Sequence, residues 1–206
     1  MERRSMKVVI YTLNHLNYGA LLQCCGLVNY LRSTGIDAES LNLNTPYHQQ
    51  LFHVFSHYSD SRIRQMVYNC FCLLRYGQLK RKIKRIIQFR NEWLHLNHHV
   101  YGSEEELLKN PPEADVYISG SDQVFQPESK RRRIFYLDFP ISRKQKKIGY
   151  AVSFGTDIIK PETAEILKPW VNDFAELSAR EESGADLLEQ LTGKPQPVVL
   201  DPVFLP

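Results

Sequence analysis

No apolar run in this 206-residue chain approaches the roughly eighteen residues that a membrane-crossing helix requires. Its start, Met1-Glu2-Arg3-Arg4-Ser5-Met6, is charged. The short apolar stretch that follows is broken by Asn14, His15 and Asn17 without a small-residue cleavage site, which argues against a signal peptide and for a cytoplasmic protein. The chain has no GxGxxG, so the ordinary dinucleotide fingerprint is missing. Six of its seven histidines cluster at 48, 53, 57, 95, 98 and 99 with no HExxH or supporting carboxylate pattern, so no metal is expected. Helix-turn-helix, zinc-finger and RNA-binding signatures are lacking as well, and nucleic acid is not an expected partner. Repeats and low-complexity tracts are absent. Cysteine is scarce: Cys24, Cys25, Cys70 and Cys72 occur as CC and CxC in helical contexts. Side chains two apart on a helix point about 200° apart, so Cys70 and Cys72 are poorly placed to chelate one ion. The four read as reduced thiols packed in the core.

What the chain does contain suits a packed domain: 43% hydrophobic residues, 24% charged, eleven Tyr and ten Phe. Its formal charge of +3 is compatible with an anionic small molecule or a bilayer surface and selects neither. The run 7–13 is rich in β-formers and predicts a buried parallel strand. Turn-formers 14–19 follow, then a helix over 20–33 stopped by Gly35, then a second strand over 36–43, which together make a βαβ unit. Residues 45–60 read as irregular. The stretch 62–96 reads as helical, broken near Gly77, and carries Arg62, Arg64, Arg75, Lys80, Arg81, Lys82, Lys84, Arg85 and Arg90 with acid only at Glu92. It is longer than a crossover needs, and predicts a basic helical insertion over about 60–97. Strands are expected again over 114–119, 147–152, 177–180 and 198–200, with helices over 161–174 and 182–190. The expected fold class is α/β: a Rossmann-like open, mostly parallel sheet with helices on both faces.

Ligands of such sheets bind beyond the carboxyl ends of the strands. Three loops there have suitable composition. In Asn17-Tyr18-Gly19, glycine lets backbone approach a ligand and the next helix offers free N–H groups, although a plain tight turn has the same composition. In Gly120-Ser121-Asp122-Gln123, small residues precede a carboxylate and an amide; Asp122 is a candidate to orient or deprotonate a sugar hydroxyl, with a turn cap as the alternative. In Ser153-Phe154-Gly155, the serine is a candidate pocket residue and Phe154 either stacks on a sugar ring or sits in the core. Arg180, at a strand end, suits bidentate binding of a carboxylate or phosphate, or pairing with a neighbouring acid. The basic runs Lys130-Arg131-Arg132-Arg133 and Arg143-Lys144-Gln145-Lys146-Lys147, with the 62–96 stretch, read as a solvated face or as attraction to anionic lipid at about 1 kcal/mol per cation.

In these loops the chain resembles the polysaccharide pyruvyl transferase family. The resemblance runs through Asn17-Tyr18-Gly19-Ala20 with Gln23, Gly120-Ser121-Asp122-Gln123-Val124-Phe125 and Phe135-Tyr136-Leu137-Asp138-Phe139. It continues through Tyr150-Ala151-Val152-Ser153-Phe154-Gly155, Ser178-Ala179-Arg180-Glu181 with Ser183-Gly184, and Val199-Leu200-Asp201-Pro202-Val203-Phe204, in the family's order. It implies one half of a GT-B-like pair of Rossmann-like domains, with residues 1–206 as the amino-terminal half. It further implies transfer of pyruvate from phosphoenolpyruvate, as donor substrate and without a cofactor, to a sugar or lipid-linked glycan acceptor in exopolysaccharide biosynthesis; the basic runs add the expectation of a peripheral place at the inner membrane face. By the same resemblance, Asn17–Gly19 and Gly120–Gln123 line the cleft and Arg180 contacts an anion. The family's second domain, with its Ser-Phe-His-type segment for donor and acid groups, has no counterpart in these residues, so little activity is expected of them alone. The competing expectations are half of a sugar-nucleotide glycosyltransferase and a non-catalytic glycan- or membrane-binding remnant.

Overall fold

The computed structural model describes residues 5–14, 17–55, 57–129 and 132–205. His15 of the expected turn, and Lys130 and Arg131 of the first basic run, lie outside them.

Five short runs pair into one parallel sheet: β1 (Lys7–Tyr11), β2 (Asp37–Ser40), β3 (Val116–Ser119), β4 (Lys146–Val152) and β5 (Glu176–Ala179), in the order β2-β1-β3-β4-β5. Val8 pairs with Ala38 on one side and with Val116 on the other. A parallel sheet is covered on both faces, which is why β1 and β3 are near-continuous apolar runs. Around it lie α1 (Tyr18–Ser33), α2 (Pro46–Leu51), α3 (Arg62–Leu74), α4 (Tyr76–Trp93), α5 (Glu104–Lys109), α6 (Arg132–Phe135), α7 (Pro161–Val171), α8 (Glu182–Thr192) and a 3-10 turn (Pro202–Phe204).

Local chemistry sets the element ends. Asn17 caps α1, its side-chain oxygen accepting from the Gly19 N–H at 2.9 Å. Pro161 opens α7, where its missing N–H costs nothing, and Gly193, at φ 72°, closes α8 in the left-handed conformation. The period of two in the strands then separates two cores. Val8, Ile10, Val116 and Ile118 pack with Leu21, Leu27 and Val28 of α1 and Ile86 of α4. Val9, Tyr11 and Tyr117 face the opposite core, with Leu107, Phe135, Leu167 and Leu188 from α5 to α8. Helices therefore cover both faces, as the pattern predicts.

Several expectations need correction. The strand expected over 36–43 stops at Ser40, and Leu43 makes only a single bridge, to Tyr101. The expected strand 198–200 is one bridge, Val198 to Ala179, with the Val199 N–H donating to the Ala179 carbonyl at 2.9 Å; Pro197 and Pro202, which lack an N–H, bound it on either side and limit its extension. The stretch 45–60 is not wholly irregular: Thr45 and Pro46 start α2. The basic helical stretch does break near Gly77, at Arg75, with Gly77 itself inside α4. Cys24 and Cys72 are buried, but Cys25 is half-buried and Cys70 is exposed, so the core holds only two of the four thiols. No helix among the described residues is long and apolar enough to cross a membrane.

Candidate functional site

The order β2-β1-β3-β4-β5 reverses direction between β1 and β3, and the crevice of such a sheet opens there, beyond the carboxyl ends. Thr12 and Gly120 close its floor: Thr12 Oγ1 donates to the Ser121 carbonyl at 2.8 Å and the Gly120 N–H to the Tyr11 carbonyl at 3.1 Å. Gly120 holds φ at 129°, and a Cβ there would stand 2.0 Å from the Tyr150 carbonyl oxygen, so only glycine fits. The Ser121 hydroxyl is buried and, like those of Ser119 and Tyr11, has no hydrogen-bond partner among the described residues.

Asp122 follows at φ 82°, a left-handed conformation that Asp tolerates better than most residues. Its carbonyl accepts from Val124 N–H at 2.7 Å and Ser153 N–H at 3.1 Å, while the Phe125 N–H returns to the Ser153 carbonyl at 3.1 Å. These bonds stitch the β3 loop to the β4 loop. Gly155 completes the seam at φ 66°; a Cβ there would lie 2.8 Å from Gln123 Cδ, so the Gln123 side chain lies across a bare backbone. The last turn of β4 is irregular: Ala151 adopts φ 48°, and Ser178 Oγ bridges it by accepting from Ala151 N–H at 3.0 Å and donating to the Gly149 carbonyl at 3.2 Å.

Arg180 leaves the end of β5 into three carboxylates. Its Nη1 is 3.3 Å from Asp201 and 3.9 Å from Asp122, and its Nε is 3.3 Å from Glu181. Asp201 in turn accepts from the Gln23 side chain of α1 and caps the Pro202–Phe204 turn through Val203 N–H at 3.0 Å. A packed interface holds it there: a Cβ on Gly26 of α1 would come within 2.3 Å of the Pro202 carbonyl oxygen. Gly19, Gln23, Arg180 and Asp201 line an open groove of about 700 Å³.

The structure thus joins Gly120–Gln123, Ser153, Gly155 and Arg180 by direct contacts and brings Gly19 to the same groove. Asn17 acts as the α1 cap. Tyr18 is exposed and turned toward α4, its ring 5.5 Å from Lys82 Nζ. Phe154 is fully buried, edge-on to Phe125 at 5.7 Å, so its ring does not stack on a sugar; it belongs to the core. Arg180 is paired with acids from three segments, and one cation among three carboxylates leaves the cluster net negative, which disfavours the free-anion contact expected of it. Sequence reasoning missed Asp201 and Gln23 as members of this cluster. An Asp-Pro after an apolar run signals a helix cap, and nothing in that signal points to Arg180 or α1.

A family model described as polysaccharide pyruvyl transferase matches residues 17–206. The chain belongs to the polysaccharide pyruvyl transferase family. No curated protein and no solved structure matches it. The match to pyruvyl transferases starts at Asn17, the α1 cap, and takes in every loop at the carboxyl edge after it, including Asp122, Arg180 and Asp201.

Proposed function

We propose that this pyruvyl transferase seats its acceptor sugar at the β1/β3 crevice and transfers pyruvate to it from phosphoenolpyruvate, within cytoplasmic assembly of a surface glycan. The observation that carries this reading is the half-buried Asp122 carboxylate, held at the switch point by its own left-handed backbone and 3.9 Å from Arg180. A net-negative cluster of this kind favours neutral hydroxyl donors and repels a free phosphate. Asp122 takes the hydroxyl proton as the sugar oxygen attacks, Arg180 holds the carboxylate in place from 3.9 Å, and Gln123, Ser153 and the Asn17–Gly19 turn receive other hydroxyls. A proton added to the enol methylene carbon makes the neighbouring carbon electrophilic. Attack by two acceptor hydroxyls, with loss of phosphate, gives the ketal. The donor's carboxylate and phosphate need cations that this cluster does not supply, so their seat lies off it. The groove is open, and excluding water from the donor calls for a second wall over it; residues 1–206 alone are accordingly proposed to transfer little.

The test is Asp122→Asn in active enzyme supplied with phosphoenolpyruvate and a glycan acceptor. Ketal formation and phosphate release are expected to fall by about 10²–10⁴-fold, with the KM for phosphoenolpyruvate nearly unchanged. Unchanged turnover removes Asp122 from the mechanism. Transfer from a sugar nucleotide in place of phosphoenolpyruvate overturns the reading as a whole.

A further inference from the structure

Helix α3 is mounted with its apolar face outward. At 3.6 residues per turn, Ile63, Met66, Val67, Cys70, Phe71 and Leu74 share an arc of roughly 140°. All six are exposed, Leu74 to 88% and Ile63 to 77%. The opposite, more polar face is the one turned toward the protein: Gln65, Tyr68 and Asn69 are half-buried and Cys72 is buried. Its anchors are specific. Gln65 Oε1 accepts from the Tyr58 N–H at 2.8 Å and the Ser59 N–H at 3.2 Å, oriented within the helix by the bond from Gln65 Nε2 to Asn69 at 2.9 Å, and the Tyr58 and Tyr68 rings stack at 4.9 Å. A surface helix of a soluble domain has the reverse arrangement. Helix α4 does have it: Leu79, Ile83, Ile86 and Phe89 face inward and Lys80, Arg81, Lys82, Lys84 and Arg85 outward.

Charge identifies what covers the arc. Residues 62–93 hold nine cations and one acid. Arg62 flanks one edge of the arc and Arg64 and Arg75 the other, with the Arg75 guanidinium 5.4 Å above the Phe71 ring. A second copy of the chain would bring two such cationic surfaces together, which opposes self-association. An apolar helix face bordered by Arg and Lys is the pattern of a helix lying in the boundary of an anionic bilayer.

We propose that α3 inserts its Ile63–Leu74 arc into an anionic lipid leaflet, with Arg64, Arg75 and the outward cations of α4 on the lipid phosphates. Helix α4 links that surface to the switch point: Arg90 Nε donates to the Asn14 carbonyl at 3.2 Å, and Lys82 lies over Tyr18. The bilayer thereby presents a lipid-linked acceptor to the crevice. This last step rests on the acceptor reading above; the membrane contact does not.

Vesicles of phosphatidylcholine, with and without phosphatidylglycerol, test the contact by co-sedimentation and by alkylation of Cys70 read by peptide mass. The full chain is expected to pellet with the anionic vesicles only and to lose at least tenfold of its Cys70 labelling there. Leu74→Asp, at an exposed position and checked for folding by circular dichroism, should abolish both effects. Arg64→Gln with Arg75→Gln should weaken binding about 25-fold, at about fivefold per cation. Quenching of Leu74→Trp by brominated acyl chains would place the arc among the lipid tails. Pelleting that leaves Cys70 fully labelled and is indifferent to Leu74→Asp means adsorption by charge alone and overturns insertion. A dimer or a protein complex dissociated by Leu74→Asp, without vesicle binding, overturns the proposal too. In active enzyme, as used for Asp122→Asn, transfer to a soluble acceptor should be unchanged by Leu74→Asp, which separates failure here from failure of the catalytic reading.

Discussion

Arg180 is shared by Asp122, Glu181 and Asp201, so its removal exposes three carboxylates to one another. Arg180→Ala is expected to cost about 1–3 kcal/mol of stability, read from the urea midpoint, because half-buried acids lose their common counter-charge. Lysine should recover only part of this, since a point charge cannot reach Glu181 through Nε and Asp201 through Nη1 together. The thiols give a second prediction at this scale. Burial pushes Cys24 up to about 12, against the opposing effect of its contact with Ser40 at 3.2 Å. Below that pH the group stays a thiol, and the nucleophilic thiolate is scarce. In the absence of lipid, iodoacetamide should label exposed Cys70 first and Cys24 last at any pH up to about 9, an order that peptide mapping reads directly. Early labelling of Cys24 would contradict its burial on the inner face of α1.

Among the elements, α1 and the Pro202–Phe204 turn are the pair whose fit is tightest. Gly26→Val would drive a side chain into the Pro202 backbone, with an expected cost of about 1–3 kcal/mol. The same change should speed amide exchange at Val203 and Phe204 and loosen Asp201 from Gln23. Elements were legible in the sequence where one periodicity ran unbroken. The apolar runs of β1, β3 and β4 gave the parallel sheet, and Pro161, Gly35 and Gly193 marked helix ends near where they fall. Short elements were not legible: α2, α5 and α6 are only four to six residues long, too brief for a period to declare itself. Of the candidate site, Gly120–Gln123 could be read because a glycine, a small residue and a carboxylate follow an apolar run. The environment of Arg180 could not, because Asp122 and Asp201 reach it from strands and turns far off in the chain. Phe154 shows the converse limit. A ring at a strand end suits a sugar or a core equally, and the irregular turn of β4 that decides the matter leaves no mark in the composition. Helix α3 carries a plain amphipathic pattern, but a pattern does not say which face the protein keeps.

At the scale of the whole molecule, β3 is the middle strand of the sheet and β1 lies beside it, each with a strand on both sides and a core on both faces. Their amides are expected to exchange slowest, near the limit of global unfolding, while those of α3, held by a few polar anchors, exchange fastest among the longer helices. Hydrogen-exchange mass spectrometry resolves the two groups. The same strand order also constrains when the fold can form. Strand β1 is made first, yet the N–H of Lys7 finds its side-chain partner in Asp115, 108 residues later. A ribosome that has released β1, α1 and β2 has released a two-stranded fragment with one unpaired inner edge and one bare face. That fragment must wait through all of α2 to α5 for its neighbour to be synthesised. A parallel sheet opened at its centre is slow to close and sticky until it does. The feature that gives the site its crevice is therefore also expected to leave the nascent chain in need of protection from aggregation throughout the translation of its longest excursion.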